Sequence, residues 1–463
     1  MVAGTVFALL LIPASGYYQE GALLPAGLAL SAGLLLAPIV SGLRSPQSLF
    51  RTEHLLMAGL IYWIMLDAIQ SNFRLWDVSH ESVQTAFLCT GVFAASLWAG
   101  SSGASFSFPG RTVAAPSGAD FRAGYLLLAG VLCFLLGIAE PVATCQLGLQ
   151  CVVDTFFTPR FATPWHAGPG IRGWNTVLHH LRFFGYLVLP ITAAMLHLDR
   201  RVNWRSLLLG LLSVVFLLFL LREGGRRSVG TVIGAAILVW ILLDHRPRLR
   251  HYLMLLIGGI GMLVLLQAML VWRNVGFGTA LTLGQEISDE DAPLIVVDRN
   301  LEWMANVIQV VPERHPHTGL SGVIYVLAYP VPRSVLPGKP VARGIDLPKY
   351  MGRSYGPGYS WTCSAIGDLY LMGGIWVVAL GGLFYGVLAN ASSRLLFRPV
   401  SVRGRLVYSL AAMTLFVSLR ALHEVMATGF IVFAVWCLIL VWDAITRPIR
   451  RADGWTVFRS GTS

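Results

Sequence analysis

Long apolar stretches separated by short polar turns run through almost the whole chain. A helix needs about 20 apolar residues to cross the hydrocarbon core of a bilayer, and twelve runs approach or reach that length. They lie at residues 2–15, 22–40, 54–70, 83–100, 123–139, 177–196, 204–221, 228–243, 251–272, 365–389, 405–421 and 428–446. This pattern predicts an all-α polytopic membrane protein with about twelve transmembrane helices, in which residues 1–463 form a single integral membrane domain. Because no basic segment precedes it, the run at 2–15 is interpreted as the first helix and not as a cleaved signal peptide.

One polar interruption, residues 273–364, is much longer than the others and forms a large loop within that domain. Its stretch 298–311, DRNLEWMANVIQVV, has apolar residues at helical spacing. We therefore expect a helix that lies on the membrane face or packs on the loop's own core. Four prolines between positions 330 and 340 exclude a regular helix there and hold that segment extended.

Arginines divide the connections between the apolar runs into two sets. Nearly every short connection in one set carries arginine, as do the residues that follow the last run. The short connections 16–21 and 421–427 of the other set carry neither Lys nor Arg between the helix ends. By the positive-inside rule the first set faces the cytoplasm, which places both termini there and the loop 273–364 on the outer, periplasmic side.

Composition supports a protein whose main solvent is lipid. Hydrophobic residues make up 56% of the chain and charged residues 12%, and the mean hydropathy is +0.67. These values exclude a soluble globular protein of this size. The formal net charge of +11 comes from short basic clusters between apolar runs and not from a continuous basic face, so no nucleic-acid partner is expected.

Basic residues on the predicted outer face are concentrated in three places, although the charge bias normally depletes Lys and Arg there. These are the pair Arg160 and Arg172 in loop 140–176, the turn that contains Arg222, Arg226 and Arg227, and the long loop 273–364. Guanidinium groups bind phosphate oxygens in a bidentate manner, and Gly224 and Gly225 let the backbone approach a ligand. We interpret the 222–227 turn as a phosphate clamp; the alternative is a tight turn whose arginines reach lipid headgroups.

The segment 329–353, YPVPRSVLPGKPVARGIDLPKYMGR, is the most basic part of the long loop. It carries Arg333, Lys339, Arg343, Lys349 and Arg353 against a single acid, Asp346. Such a cluster on the outer face predicts an anionic ligand. Arg333 is the first candidate to contact that ligand and Arg343 the second, whereas Lys349 and Arg353 are assigned to lipid headgroups.

Several carboxylates and histidines near the outer boundary can serve as a general base. They are Asp368, His423, Glu424, His179 and His180. Arg420 and Glu424 are four residues apart, which favours an ion pair over base catalysis for Glu424. His179 and His180 are more simply explained as interfacial polar residues, so Asp368 and His423 are the preferred bases.

Two cysteines, Cys145 and Cys151, share a loop on the predicted outer face, where oxidation is possible. They form either a disulfide or two separate thiols. No Cys-x-x-Cys pair or His-rich spacing marks a metal site, so the sequence predicts neither a metal nor another cofactor.

Two segments of the chain resemble a known family of bacterial inner-membrane proteins. They are PRSVLPGKP at 332–340 and GYSWTCSAIGDLYLMGGIWVVALGGLFYG at 358–386. Both are similar to segments of the O-antigen polymerase and oligosaccharide repeat-unit polymerase family, in which a Pro-Arg segment with a following Lys-Pro lies in a large periplasmic loop and a Gly-acid-x-Tyr motif opens the next helix. The matching residues are Pro332, Arg333, Lys339, Pro340, Gly367, Asp368 and Tyr370. The acid of the motif is often Glu in the family, so Asp368 departs from its pattern.

The resemblance implies a GT-C-like glycosyltransferase of the bacterial inner membrane whose donor and acceptor are both undecaprenyl diphosphate carrying an oligosaccharide repeat unit. A hydroxyl of the incoming unit attacks the anomeric carbon of the growing chain, and the lipid diphosphate leaves. It implies a metal-independent polymerase that builds O-antigen, capsule or exopolysaccharide beside a flippase and a chain-length regulator. Given this chemistry, charge and position lead us to predict catalytic roles for Arg333, Arg343, Asp368 and His423, and diphosphate-binding roles for Arg222, Arg226, Arg227 and Lys339.

Two other functions fit the same layout. A ligase would transfer the finished glycan from the same lipid carrier to another acceptor, and the Pro-Arg and Gly-acid-x-Tyr segments favour the polymerase over it. A lipid-linked sugar flippase would place charged residues inside its spans along a translocation path. In this sequence they collect on the predicted outer face, which favours an enzyme.

Overall fold

The computed structural model describes most of the chain, and every structural statement below concerns that part. It comprises residues 1–15, 18–103, 120–146, 148–157, 174–199, 202–223, 225–244, 249–275, 295, 297–329, 331, 335–340, 345–352, 361–397 and 400–456. Throughout these ranges the regular structure is helical, and none of them contains a β-strand. The predicted all-α class is therefore confirmed.

Ten helices form the part of the bundle up to residue 222. They are α1 (Val2–Leu11), α2 (Leu24–Arg44), α3 (Thr52–Leu60), α4 (His80–Gly103), α5 (Ala123–Gly137), α6 (Ala139–Thr144), α7 (Leu149–Phe157), α8 (Trp174–Gly185), α9 (Val188–Asp199) and α10 (Trp204–Arg222). Helix α3 continues through a π-helical turn, Ile61–Met65, into Leu66–Ala68. A disulfide joins Cys145 to Cys151 between α6 and α7, which confirms the first of the two alternatives for this pair.

Eight further helices follow residue 225. They are α11 (Arg226–Leu243), α12 (Leu249–Val275), α13 (Asn300–Val310), α14 (Leu320–Leu327), α15 (Leu347–Tyr350), α16 (Ser364–Leu396), α17 (Val402–Ser418) and α18 (Glu424–Thr456). Buried apolar side chains form two clusters. The first is built mainly from α1 to α4 with α13 and α16, and the second mainly from α5, α9 to α11, α17 and α18.

Seven of the described helices are long and apolar enough to cross a membrane, so the chain has the character of a multi-pass membrane protein. Three shorter apolar helices, Val2–Leu11, Ala123–Gly137 and Leu256–Met269, coincide with three more of the predicted runs. The runs at 54–70 and 405–421 also form helices, but α3 with 9 residues and α17 with 17 are shorter than a span requires. Twelve spans therefore remain a prediction.

Small residues allow α4 and α16 to pack very closely. A Cβ atom added at Gly386 would overlap the backbone carbonyl of Leu97, and one at Gly382 would lie 2.6 Å from the carbonyl oxygen of Phe93. On the opposite side of this contact, a Cβ atom at Gly100 would overlap the carbonyl of α16. Glycines four residues apart on one helix face are a common means of close packing between membrane helices. This contact fixes the part of α16 around residues 382–386 relative to α4.

Helix α13 confirms the helical period predicted for 298–311. Nearly all of its side chains are buried, and it packs against α4 and α16. Asn300 begins the helix: its Nδ2 donates to the carbonyl oxygen of Trp63 at 2.9 Å, and its Oδ1 accepts from Thr362 Oγ1 at 2.8 Å. Of the two predicted positions, this burial favours a packed helix, and it packs on the helix bundle, where hydrogen bonds satisfy the buried amide.

Helix α16 is interrupted near its start. Gly373 and Gly374 have non-helical backbone angles, and Gly374 has φ of 68° with ψ of −159°. Residues with a side chain rarely adopt that region. The interruption frees carbonyl groups of the preceding turn, and they accept from the segment before α14: Thr318 N donates to Leu371 O at 2.9 Å and Gly319 N to Met372 O at 3.0 Å.

Candidate functional site

Five charged side chains from distant parts of the sequence meet at one end of the bundle. Arg226 Nη2 donates to Asp298 Oδ1 at 3.0 Å, and Arg420 pairs with the other oxygen of Asp298. Arg420 Nη1 also lies 3.6 Å from Glu424 Oε1, which pairs with Arg227. We call these five residues the Asp298–Glu424 network. It joins α11, the turn between α17 and α18, and the segment before α13.

Local structure explains why these residues converge. Arg226 and Arg227 occupy the first turn of α11, where the positive end of the helix dipole disfavours cations. Asp298 and Glu424 offset this placement with negative charge. Glu424 is itself the first residue of α18, where the same dipole favours a carboxylate. The predicted Arg420–Glu424 ion pair is thus present, although α18 begins at Glu424 and the pair does not lie on one continuous helix.

The arginines of the network differ in how far they are exposed. Arg227 is the most accessible of the three, with 38% of its side chain exposed against 13% for Arg226 and 15% for Arg420. Of the three guanidinium groups, that of Arg227 is therefore best reached by a ligand.

Burial and charge oppose each other at Asp298. Burial alone would raise the pKa of this carboxyl group, but Arg420 and then Arg226 outweigh burial and lower the pKa to about 2. Asp298 is therefore fully ionised at neutral pH. A permanently charged carboxylate in contact with two arginines holds both side chains in fixed positions.

Histidine and tyrosine side chains lie beside the network. His423 Nε2 is 3.6 Å from Glu424 Oε1, and the His423 ring lies 4.6 Å from the ring of Tyr329 and 5.9 Å from that of Tyr325, centroid to centroid. Lys339 Nζ donates to the carbonyl oxygen of Tyr329 at 2.6 Å and lies 5.4 Å from the centre of its ring. Tyr329 also lies within electrostatic range of Arg227. Two predicted site residues, His423 and Lys339, are thus brought to the same surface as Arg227.

Asp368 is buried at the start of α16. Its Oδ2 accepts from the backbone N–H of Leu422 at 2.8 Å, and its Oδ1 accepts from the thiol of Cys363 at 3.4 Å. These bonds connect α16 to the turn that carries Arg420 and His423. Asp368 also lines a small cleft with Thr318 and other residues of the α14 region. Its contacts describe a carboxylate that positions the 419–423 turn, and its predicted catalytic role stays a prediction.

Arg222 and its surroundings are buried next to the network. Arg222 ends α10, and the following residue, Glu223, accepts from Arg182 Nη1 at 2.6 Å. His179 Nδ1 lies 3.2 Å from Glu140 Oε1, so the residues around loop 140–176 also hold an acid–base pair. Burial of Arg222 places its guanidinium group away from a ligand in solvent, which makes Arg227 the better contact for a phosphate within the 222–227 turn.

Several predicted site residues lie outside the described part of the chain. They are Arg333 and Arg343 of the basic segment, Arg160 and Arg172 of the loop 140–176, and Gly224 of the arginine turn. Among the predicted residues that are described, Arg226, Arg227, Lys339 and His423 gather in one place, and Asp368 contacts the turn that holds His423.

Sequence reasoning missed Asp298, which is central to the network. It opens the helical stretch 298–311 beside Arg299 and has no local signal other than its charge. Its partner Arg420 lies 122 residues further along the chain. Asp298 could have been found only by testing every acidic residue of the long loop as a possible ion-pair partner of each arginine on the predicted outer face.

The site can bind an anion and transfer a proton. It offers an exposed guanidinium group at Arg227 and an ammonium group at Lys339, with the buried imidazole of His423 beside them, and hydrogen bonds or ion pairs hold all three. In the described residues no group of three or more His, Cys, Asp and Glu side chains is arranged to hold a metal ion. Comparisons with family models, with curated proteins and with solved structures find no match to this chain.

Proposed function

We propose that this protein is a glycosyltransferase that joins undecaprenyl-diphosphate-linked oligosaccharide repeat units on the periplasmic face of the bacterial inner membrane. The exposed guanidinium group of Arg227, held by Glu424 at the start of α11, is the observation that carries the proposal. It lies at the ends of apolar helices that can span a membrane, where the diphosphate of a lipid carrier would be found. The resemblance of residues 332–340 and 358–386 to repeat-unit polymerases supports the same substrate.

In the proposed reaction a hydroxyl group of the incoming repeat unit attacks the anomeric carbon of the growing chain. A new glycosidic C–O bond forms, and the bond between the anomeric carbon and the diphosphate oxygen breaks. The diphosphate leaves with that electron pair, so negative charge increases on its oxygen in the transition state. Arg227 and Lys339 stabilise this charge, because preorganised cations cost no reorganisation when the bond breaks.

The proton of the attacking hydroxyl needs an acceptor, and we assign this role to His423, whose largely buried imidazole lies next to Glu424. Glu424 lies 3.6 Å from its Nε2, and the ring packs against Tyr329, so its position is fixed from two sides. A general base in such a position contributes about 10²–10⁴ in rate. Arg333 and Arg343 stay candidates for further contacts to the diphosphate on the strength of the sequence.

Two alternative functions use the same lipid carrier. A ligase would transfer the glycan to a different acceptor, and the geometry of the network serves both reactions. A flippase requires charged groups along a path within its spans. Arg226, Arg227 and Glu424 instead lie in the first turns of α11 and α18, at the ends of these helices, which favours an enzyme acting at one surface.

The test uses purified protein in liposomes that contain lipid-linked repeat units. We expect the parent protein to convert the monomer into a ladder of longer lipid-linked chains, and Arg227→Ala to reduce the rate about 100-fold, as loss of one transition-state donor does. Arg74→Ala is the matched control, because Arg74 pairs with the exposed Glu20 at 2.8 Å outside the network. Arg227→Lys retains the positive charge but not the bidentate guanidinium group, so its rate should lie between those of the parent and Arg227→Ala.

Size-exclusion chromatography establishes that each variant is folded before its rate is compared. A glycan that moves to a different acceptor would identify a ligase, and a monomer that only changes leaflet would identify a flippase. An unchanged rate in a well-folded Arg227→Ala protein would refute the role of the network.

A further inference from the structure

Helix α14 exposes an apolar face that no part of the described structure covers. Leu320, Val323, Ile324 and Leu327 are between 39% and 72% exposed. At 100° per residue these four positions fall within one arc of about 100°. The helix contains no charged residue, and a stripe of this width on a helix in water would be unfavourable.

The opposite face of α14 is fixed against α16. Gly322 lies there, and a Cβ atom at this position would come within 2.7 Å of Met372 Cγ. The segment just before α14 is bonded through Thr318 and Gly319 to the carbonyl groups that the break in α16 frees. The exposed face is therefore held in a defined orientation by the start of a helix that is itself long and apolar enough to span a membrane.

Helix α16 has an exposed apolar stripe of its own. Trp376, Leu380 and Phe384, spaced four residues apart, are each more than half exposed. They follow the break at Gly373 and Gly374 directly. In a candidate membrane span such a stripe faces lipid. Because Thr318 and Gly319 are bonded to Leu371 and Met372, α14 is held at the end of the span where this stripe begins.

We propose that α14 is an interfacial helix whose exposed face contacts the acyl chains of the bilayer. The attachment of α14 at the end of a candidate membrane span, where a lipid-facing stripe begins, identifies lipid as the occupant. The side chains near the helix agree with this depth. Tyr325, within the helix, and Tyr329, just after it, are aromatic residues of the type that collect at membrane interfaces, and Lys339, beside Tyr329, suits an anionic headgroup.

This placement has a consequence for the site, which rests on the proposed function. Tyr329 lies two residues after the end of α14 and packs against His423. An interfacial α14 therefore holds His423, Lys339 and Arg227 at the depth of lipid headgroups. This depth favours a phosphate carried by a lipid over a soluble sugar nucleotide as the donor.

The depth of α14 can be measured without any assay of activity. Nitroxide labels are attached to Leu320→Cys, Ile324→Cys and Leu327→Cys, in protein reconstituted into phosphatidylcholine and phosphatidylglycerol liposomes. Cys437, the partly exposed free thiol, is replaced by Ser, whereas Cys89, Cys133 and Cys363 are buried. Collision rates with oxygen, which concentrates in the bilayer, and with a water-soluble nickel chelate report the environment of each label. Ser321→Cys, exposed on another side of the same helix, and Leu380→Cys, on the stripe of α16, are the controls.

We expect the ratio of oxygen to nickel collisions at 324 and 327 to approach that at 380 and to exceed that at 321 several-fold. Ratios of oxygen to nickel collisions that are equally low at 324, 327 and 321 would place the helix in water and overturn the inference. Labels shielded from both reagents would show that a protein surface covers the face, which also overturns it. Because the readout is independent of catalysis, an inactive protein with lipid-exposed labels would refute the proposed function and leave the interfacial position of α14 intact.

Discussion

Replacement of Asp298 by Asn tests whether the Asp298–Glu424 network holds this end of the bundle together. The substitution keeps the size of the side chain and removes its charge. In the parent protein Arg226 and Arg420 share this carboxylate. Without its charge the two guanidinium groups would repel each other, and Glu424, which lies near Arg420, would offset only part of that repulsion. We therefore expect Asp298→Asn to destabilise the protein and to loosen the contacts of α11 and of the 419–423 turn with the segment before α13.

The size of the effect follows from the pKa of Asp298. The folded-state pKa of about 2 lies below the ordinary value of 3.8, and at about 1.4 kcal/mol per unit this corresponds to roughly 2 kcal/mol of stability. A lowered pKa means that the stabilisation is complete above the unfolded-state pKa and is lost as the pH falls through the folded-state pKa. The contribution should therefore be present at neutral pH and disappear between about pH 4 and pH 2.

Thermal unfolding in detergent micelles, followed from pH 7 down to pH 3, is the assay. At neutral pH Asp298→Asn should unfold at a lower temperature than the parent, and the gap should narrow once the parent begins to lose its own contribution below about pH 4. Glu20→Gln is the control, because Glu20 pairs with Arg74 on the surface, and exposed pairs contribute about 0–1 kcal/mol. Equal unfolding temperatures for parent and Asp298→Asn at pH 7 would refute the reasoning.

Two glycine substitutions test the packing that positions the site. Gly374→Ala should lower the free energy of unfolding by about 1–3 kcal/mol, because the φ of 68° at this position disfavours a side chain. Gly429→Ala is the control: it lies in a helix with no atom within 4 Å of the added Cβ and should be neutral or stabilising. Equal effects of the two substitutions would contradict the strained break in α16. Gly386→Leu should separate α16 from α4 and reduce the yield of folded protein. Gly210→Leu, at an open position, should leave that yield unchanged. Normal folding of Gly386→Leu would mean that the two helices do not approach as closely as described.

Periodicity predicted the helices well but could not place them relative to one another. The helical spacing in 298–311 is confirmed by α13, yet the same spacing suits a helix on a membrane face and a helix buried among others. Its first residue, Asn300, meets backbone and side-chain partners from distant segments. Such partners are set by tertiary packing and leave no mark in the local sequence.

The ion pairs of the site show the same division. Arg420 and Glu424 are four residues apart, so their contact could be predicted from spacing alone. The contacts of Asp298 with Arg226 and Arg420 join segments 72 and 122 residues apart, and no local pattern encodes them. The close contact at Gly382 and Gly386 is an intermediate case. Glycines four residues apart in an apolar run predict a close helix contact, but the sequence does not identify α4 as the partner.

Release of undecaprenyl diphosphate in a single turnover tests the central claim most directly, because the network is proposed to stabilise that leaving group. Parent protein in liposomes loaded with lipid-linked repeat units should release one undecaprenyl diphosphate for each glycosidic bond formed. Arg227→Ala should slow that release about 100-fold while Arg74→Ala matches the parent. Release at the parent rate by folded Arg227→Ala, or chain growth without release of the diphosphate, would contradict the account.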